Sequence, residues 1–311
     1  MALEDVRISD CWARDGIQPE GFVPTAAKLE ILELLAAAGY QRVELTSFTS
    51  PRHFPQFTDA AEVLTSYRRH EGVEYAVLIP NPRGLELMQR AQGEEQRVDS
   101  VTLIVAASES YNLKNSNRTL AASLAEIRQL TPAARADGLM VTGCVGTAWG
   151  CPIEGPVDPA HSLRVATELA SYGVDRIMLG DTTGEALPDT AGPLVADVAA
   201  LGLPVVAHFH DQRGAGVANA LAAGAAGATW LDVSLGGTGG HPPEAGVQTG
   251  DAGNVCAEDL ATILTGMGVP LGLDLDRLIS AGRRAEEVLG RQLNSMVQRA
   301  GLPVRLQRKF A

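Results

Sequence analysis

Short β-branched and apolar runs alternate with longer amphipathic stretches from one end of the chain to the other. The short runs predict eight strands: Val6–Ser9, Arg42–Leu45, Tyr75–Ile79, Ser100–Val105, Met140–Val145, Arg176–Leu179, Val205–Ala207 and Thr229–Val233. Between them, helical patterning spans Ala26–Ala38, Ala60–Arg69, Pro82–Gln92, Ser116–Asp137, Pro159–Tyr172, Pro188–Ala200, Gly214–Ala223 and Ala257–Gly266. Start signals such as Pro24-Thr25 and Asp158-Pro159, and stops at Gly39 and Gly173, bound several of these helices. Regular strand–helix alternation implies a parallel sheet, and eight repeats in roughly 260 residues fit a (β/α)8 TIM barrel. A doubly wound open sheet would carry its glycine-rich phosphate loop after an early strand. Here the glycine-rich segment Gly236-Gly237-Thr238-Gly239-Gly240 follows the last strand. The expected organisation is a catalytic barrel over 1–270 and a helical extension over 271–311 packed on it. About Leu273–Arg299 should form one or two helices, and the basic tail Val304–Lys309 should be solvated.

The seventh strand runs into Val206-Ala207-His208-Phe209-His210-Asp211. Residues i and i+2 of a strand share a face, so His208 and His210 aim two imidazoles at one point. That point lies at a strand's carboxyl end, where α/β active sites collect. A metal site and a pair exposed at a strand end fit this pattern equally well when it is taken alone.

Composition narrows the partners. The chain has 311 residues, is 45% hydrophobic and carries a formal net charge of −12 with its Lys and Arg scattered, which excludes the basic patch a nucleic-acid binder needs. Cys11, Cys144, Cys151 and Cys256 lie far apart without metal-ribbon spacing and read as reduced thiols of a cytosolic enzyme. The N-terminus shows no signal-peptide pattern and no run is long enough to span a membrane, so a cytoplasmic protein is expected.

Other strand ends add candidate chemistry. The first leads into Arg14-Asp15-Gly16, a cation beside a carboxylate before a glycine able to turn the chain; a surface ion pair fits the motif equally well. The second ends Glu44-Leu45-Thr46-Ser47, with a carboxylate inside an apolar run, where it would be costly if unpaired. The sixth ends Gly180-Asp181-Thr182-Thr183. The eighth opens a long Gly- and Pro-rich segment, Ser234 to Asn254, of the kind used as a lid or binding loop. Asp15, His208, His210 and an amide from Asn254 together offer mixed nitrogen and oxygen ligation, suited to Mg, Mn, Zn or Fe(II) with positions left for substrate.

These residues resemble the 3-hydroxy-3-methylglutaryl-CoA (HMG-CoA) lyase family of the DRE-TIM metallolyase superfamily. The resemblance runs from Val6 to about Gly268, through Arg14–Glu20, Glu44–Pro51 with Pro55-Gln56, Ser108-Glu109, Gly150–Gly155, Leu179–Thr182, His208–Asp211, and Gly253-Asn254 followed by Glu258–Leu260. It implies a barrel holding one divalent cation, Mg2+ or Mn2+, on Asp15, His208, His210 and Asn254, and an acyl-CoA substrate cleaved by a retro-Claisen step. It further implies that Arg14 neutralises the thioester enolate, that Asp15 or a metal-site histidine relays the hydroxyl proton, and that Glu44, Ser47, Asp181 and Thr182 line the pocket. Gln18 would support the Arg14-Asp15 turn or reach the pocket. A homo-oligomer is expected. A relative running the reaction as a condensation, or acting on another hydroxy acid, is the alternative.

Two departures stand out. The family's loop reads Gly-Leu-Gly-Gly-Cys-Pro-Tyr, its Cys being the general acid; here His241 takes the Cys position. His241 either performs the proton transfer, as imidazole can near neutral pH, or is a polar lid residue in a loop rebuilt for another substrate. The spacing from Asp10 to Arg14 is similar instead to that of 2-isopropylmalate and citramalate synthases, while Trp12 and Trp149 suggest a differently shaped pocket.

Overall fold

The computed structural model describes residues 3–93, 96–240 and 253–307. Its strands are β1 (Arg7–Asp10), β2 (Arg42–Ser47), β3 (Glu74–Leu78), β4 (Ser100–Ala106), β5 (Met140–Gly146), β6 (Gly150–Cys151), β7 (Gly155–Pro156), β8 (Arg176–Asp181), β9 (Val205–Phe209) and β10 (Trp230–Val233). All but β6 and β7 pair in parallel and close a barrel in the order β1-β2-β3-β4-β5-β8-β9-β10, with Arg7–Asp10 paired back to Trp230–Val233. The (β/α)8 barrel expected from the pattern is the fold observed.

Alternation along each strand sorts side chains between two cores. Val101, Leu103 and Val105 of β4 join Ile177, Leu179 and the helix faces in the large apolar layer outside the barrel. The opposite faces fill the interior, where Cys144, Met178, Val206 and Trp230 form a small apolar plug from four neighbouring strands. Above that plug, at the carboxyl ends, the interior becomes polar.

Several local expectations are corrected. The helix expected over 116–137 runs Leu120–Ala136, and an unexpected helix, Glu109–Ser116, precedes it and ends at Asn117 in the left-handed region at φ 53°. Ser108 and Thr119 each accept a backbone N–H from the helix that follows, at 3.1 Å, so each helix has its own start. The β6–β7 hairpin, two residues per strand, is too short to show alternation in sequence. The tail is not merely solvated: Val304–Gln307 is a helical turn that buries Leu306. The helix Leu275–Leu289 lies along Thr25–Ala38, joined by Asp274 N–H to Ala38 O at 2.9 Å and by Arg284 to both Glu30 oxygens at 2.8 and 2.9 Å.

Candidate active site

The chain leaving β1 forms one turn of π-helix, Trp12–Gly16, which lifts Arg14 and Asp15 over the barrel mouth. Asp10 Oδ1 fixes its start by accepting Trp12 N–H at 2.7 Å, and Cys11 O closes it by accepting Gly16 N–H at 3.1 Å. Gly16 serves close approach rather than a sharp turn. A Cβ there would sit 2.5 Å from Ser234 Oγ and 2.8 Å from Thr238 Oγ1, so only glycine lets this turn seat against the segment after β10.

His208 and His210 point into the mouth as the i, i+2 spacing requires, their Nε2 atoms 3.1 Å apart. Asn254 arrives on a returning segment: it forms an isolated bridge with His210, while Asp211 N–H reaches Gly253 O and Val255 N–H reaches Phe209 O. Asp15 Oδ2 lies 3.2 Å from His210 Nε2, 4.0 Å from His208 Nε2 and 2.8 Å from Asn254 Nδ2. All four side chains proposed from the sequence as ligands therefore meet, and all are buried.

The protonation pattern fits a cation. His208 Nδ1 donates to Asp232 Oδ2 and His210 Nδ1 donates to Thr182 O, each at 2.8 Å. With the ring protons committed there, both Nε2 lone pairs face each other and the Asp15 carboxylate. Among the described residues, Asn254 Oδ1 is buried without a hydrogen-bond partner. Gly239 packs over the cluster so tightly that a Cβ would lie 2.3 Å from Asn254 Nδ2 and 3.0 Å from Asp15 Oδ2. Three lone-pair donors converge beside the Asn254 amide, whose NH2 faces Asp15 and Thr238 O, and leave a deficit of positive charge that a divalent cation would supply.

Arg14 joins this cluster to Glu44. Its Nε donates to Glu44 Oε2 at 2.7 Å and its Nη1 to Asp15 Oδ1. The carboxylate suspected in an apolar run is thus paired, and Thr102 Oγ1 donates to its other oxygen at 3.2 Å. Burial works against the Arg14 charge, but Glu44 and Asp15 outweigh it and hold the guanidinium firmly protonated. Burial would raise Asp15, yet the Arg14 charge and the contacts with His210 and His208 hold its carboxyl well below the usual range. For His208 burial favours the neutral ring, and the Asp232 hydrogen bond and charge outweigh it, raising the pKa.

The remaining candidates sit at different distances from the chemistry. Ser47 is buried at the end of β2 and donates to Thr49 Oγ1 at 3.2 Å. Gln18 is half-buried; its N–H reaches Asp15 O and its carbonyl accepts from Gln56 Nε2, so its backbone braces the Arg14-Asp15 turn. Asp181 is wholly buried and its carboxylate accepts the Glu185 and Ala186 N–H groups, which ties down the loop after β8; burial pushes its pKa up to about 6. Thr182 accepts His210 Nδ1–H on its carbonyl and Thr147 N–H on its hydroxyl, positioning a ligand. His241 lies outside the described residues. The tryptophans do not shape the pocket: Trp12 is fully buried in the outer apolar layer, and Trp149 packs there on Phe209 with its Nε1 donating to Thr190 O.

A charged network missed in the sequence lies under the site. Asp232 Oδ1 accepts from Ser9 Oγ and lies 3.8 Å from Arg42 Nη1. Arg42 Nε reaches Glu74 Oε1 at 3.2 Å, and Arg176 Nη2 reaches Glu74 Oε2 at 2.9 Å. The signal was available, since Asp232 sits in the apolar run Trp230–Val233 just as Glu44 sits in its own run.

A closed parallel barrel with two imidazoles, a carboxylate and an arginine at its carboxyl mouth has the makings of a barrel enzyme with a candidate metal centre. Residues 5–284 match the HMGL-like family, and the chain belongs to it as a carbon–carbon lyase. It is 37% identical over 302 residues to the mitochondrial hydroxymethylglutaryl-CoA lyase of Bos taurus, covering 96% of this chain and 90% of that protein. It is 36% identical over 314 residues to the (R)-citramalyl-CoA lyase of Chloroflexus aurantiacus, covering 96% of each. Among solved structures, an HMG-CoA lyase from Acinetobacter baumannii in complex with coenzyme A and 3-methylmalate superposes with a TM-score of 0.89 at 33% identity, covering 98% of both chains.

Proposed function

We propose that this protein cleaves a tertiary 3-hydroxyacyl-CoA of the HMG-CoA or citramalyl-CoA type into acetyl-CoA and a keto acid, with Mg2+ or Mn2+ held by Asp15, His208, His210 and Asn254. The observation that carries the reading is the convergence of two Nε2 lone pairs and the Asp15 carboxylate beside an arginine already locked in place by Glu44. Relatives named for lysis of these two thioesters, and a neighbouring structure holding coenzyme A, support the substrate class. The cation would supply Lewis-acid polarisation of the substrate's carbinol and carbonyl oxygens.

The chain's own residues account for the rest. Asp15, whose Oδ2 faces the site, takes the carbinol proton as the carbinol C–O bond becomes a ketone. The electron pair of the breaking C–C bond passes to the thioester as an enolate, and Arg14 neutralises the charge arising on its oxygen. Glu44 holds Arg14 in register for that role. His241 then delivers a proton to the enolate carbon, releasing acetyl-CoA. Four buried free thiols fit a reducing compartment, and the cytoplasm is the proposed location. Among the described residues no helix is long and apolar enough to cross a membrane.

The test is direct. HMG-CoA and citramalyl-CoA are incubated with the purified protein and Mg2+ or Mn2+, and acetyl-CoA, acetoacetate and pyruvate are quantified by chromatography. Metal-dependent release of acetyl-CoA with either keto acid is expected. Intact thioesters after addition of either metal would overturn the proposal.

A further inference from the structure

Two glycines face the barrel mouth where the protein's own packing does not require glycine. Gly146 ends β5, and Gly180 lies in β8 paired with His208 of β9. Both continue interior-facing positions, following Cys144 and Met178 of the apolar plug. Neither adopts a positive φ. A Cβ on Gly146 would meet Thr182 Oγ1 at 3.4 Å and Ile104 Cδ1 at 3.7 Å; one on Gly180 would meet nothing closer than Gly146 Cα at 3.5 Å. These are ordinary contact distances. Alanine fits both positions, unlike Gly16 and Gly239, where a Cβ would collide.

Ile104 completes the feature. It lies two residues beyond Thr102 on the interior face of β4, and Thr102 bonds the Glu44 that holds Arg14. Val101, Leu103 and Val105 on the outer face are at most 2% exposed, whereas Ile104 is 40% exposed. A large apolar side chain left open inside a barrel faces the mouth, and the two missing methyl groups leave space beside it.

The reacting groups lie on the turn after β1, on β2, at the end of β9 and on the returning Asn254 segment, while this trough lies on β4, β5 and β8. The three atoms nearest to where a Cβ on either glycine would sit, at 3.4–3.8 Å, all belong to uncharged groups of Cys144, Val145, Gly146, Val105, Ile104 and Thr182. A carboxylate arm would lose its hydration there without gaining a cation, whereas an alkyl group would gain burial. We propose that Gly146, Gly180 and Ile104 form the subsite for the alkyl branch on the substrate's carbinol carbon, and that its depth sets which tertiary hydroxyacyl thioester is cleaved. This rests on the thioester-lyase reading above and names the part of the substrate that this wall selects.

The experiment uses the full chain with Mn2+ and a series of 3-hydroxyacyl-CoA thioesters whose carbinol carbon carries hydrogen, methyl or ethyl. Gly180→Ala and Gly146→Ala should lower kcat/KM progressively along the series, changing the ratio of ethyl to hydrogen substrate about tenfold or more, as expected for one methyl group in an apolar pocket. Ile104→Ala should shift the ratio in the opposite direction, which keeps the test open should a glycine variant fail to fold. Mn2+ affinity should match wild type in all three. An equal fractional change for every substrate, or no change, would overturn the subsite. Failure of wild type to cleave any member would instead overturn the lyase reading itself, so the two failures are distinguishable.

Discussion

His208 Nδ1 lies 2.8 Å from Asp232 Oδ2, and this contact decides which nitrogen of the ring carries the proton. An ionised carboxylate only accepts, so the proton sits on Nδ1 and Nε2 is free as a lone-pair donor. Asp232 is held in turn by Ser9 and Arg42. In Asp232→Asn the amide can turn its NH2 toward Nδ1, moving the ring proton to Nε2, where it blocks a cation. The expected outcome is Mn2+ binding weakened by about 10–100-fold, read by EPR titration, with the circular dichroism spectrum unchanged. Wild-type affinity in this variant would remove Asp232 from the account of the site.

Arg14 should separate chemistry from binding. If it acts on charge that appears only as the C–C bond breaks, Arg14→Gln should lower kcat by about 10²–10³-fold with KM little changed. A rise in KM at constant kcat would show instead that Arg14 acts mainly in substrate binding. Steady-state kinetics of acetyl-CoA release decide between them.

His241 distinguishes the two roles open to the loop. As proton donor to the enolate carbon, its replacement by alanine should lower kcat by about 10²–10⁴-fold. As a residue of the lid alone, it should change mainly KM. Single-turnover measurements under metal saturation isolate the chemical step.

Glu74 predicts how acid unfolds the barrel. Burial raises its pKa, but Arg42 and Arg176 outweigh that and hold it below the usual carboxylate value. A folded pKa below the unfolded one contributes stability that is present above the unfolded value and lost as pH falls through the folded value. Glu74→Gln, which leaves two buried guanidiniums short of a carboxylate, should therefore cost about 3 kcal/mol at pH 7. The deficit should shrink as the pH falls toward 3. Urea unfolding of both proteins across that range is the measurement, and a pH-independent difference would count against the ion-pair explanation.

Periodicity was enough to show the barrel, because each strand had to present one apolar face to the helices and each helix one stripe to the strands. The His208-x-His210 spacing likewise made the shared direction of the two rings a local matter. Local sequence did not show the short helix Glu109–Ser116, whose eight residues carry no clear amphipathic stripe, nor the burial of Leu306 in a tail that reads as basic. It also could not distinguish Glu44 as a support for Arg14 from Glu44 as a pocket wall, since the two are 30 residues apart and meet only when β1 and β2 close side by side. Asp232 and Arg42 were hidden for the same reason: a charge inside a strand is an anomaly in sequence, and its partner is chosen by barrel closure. The sequence by itself determined the alternation and the residue types that can bind a cation and stabilise an enolate. Only the tertiary structure decided which charges neutralise one another, which imidazole nitrogen is left free and where the mouth keeps room. Those depend on distances of a few ångströms between segments far apart in the chain.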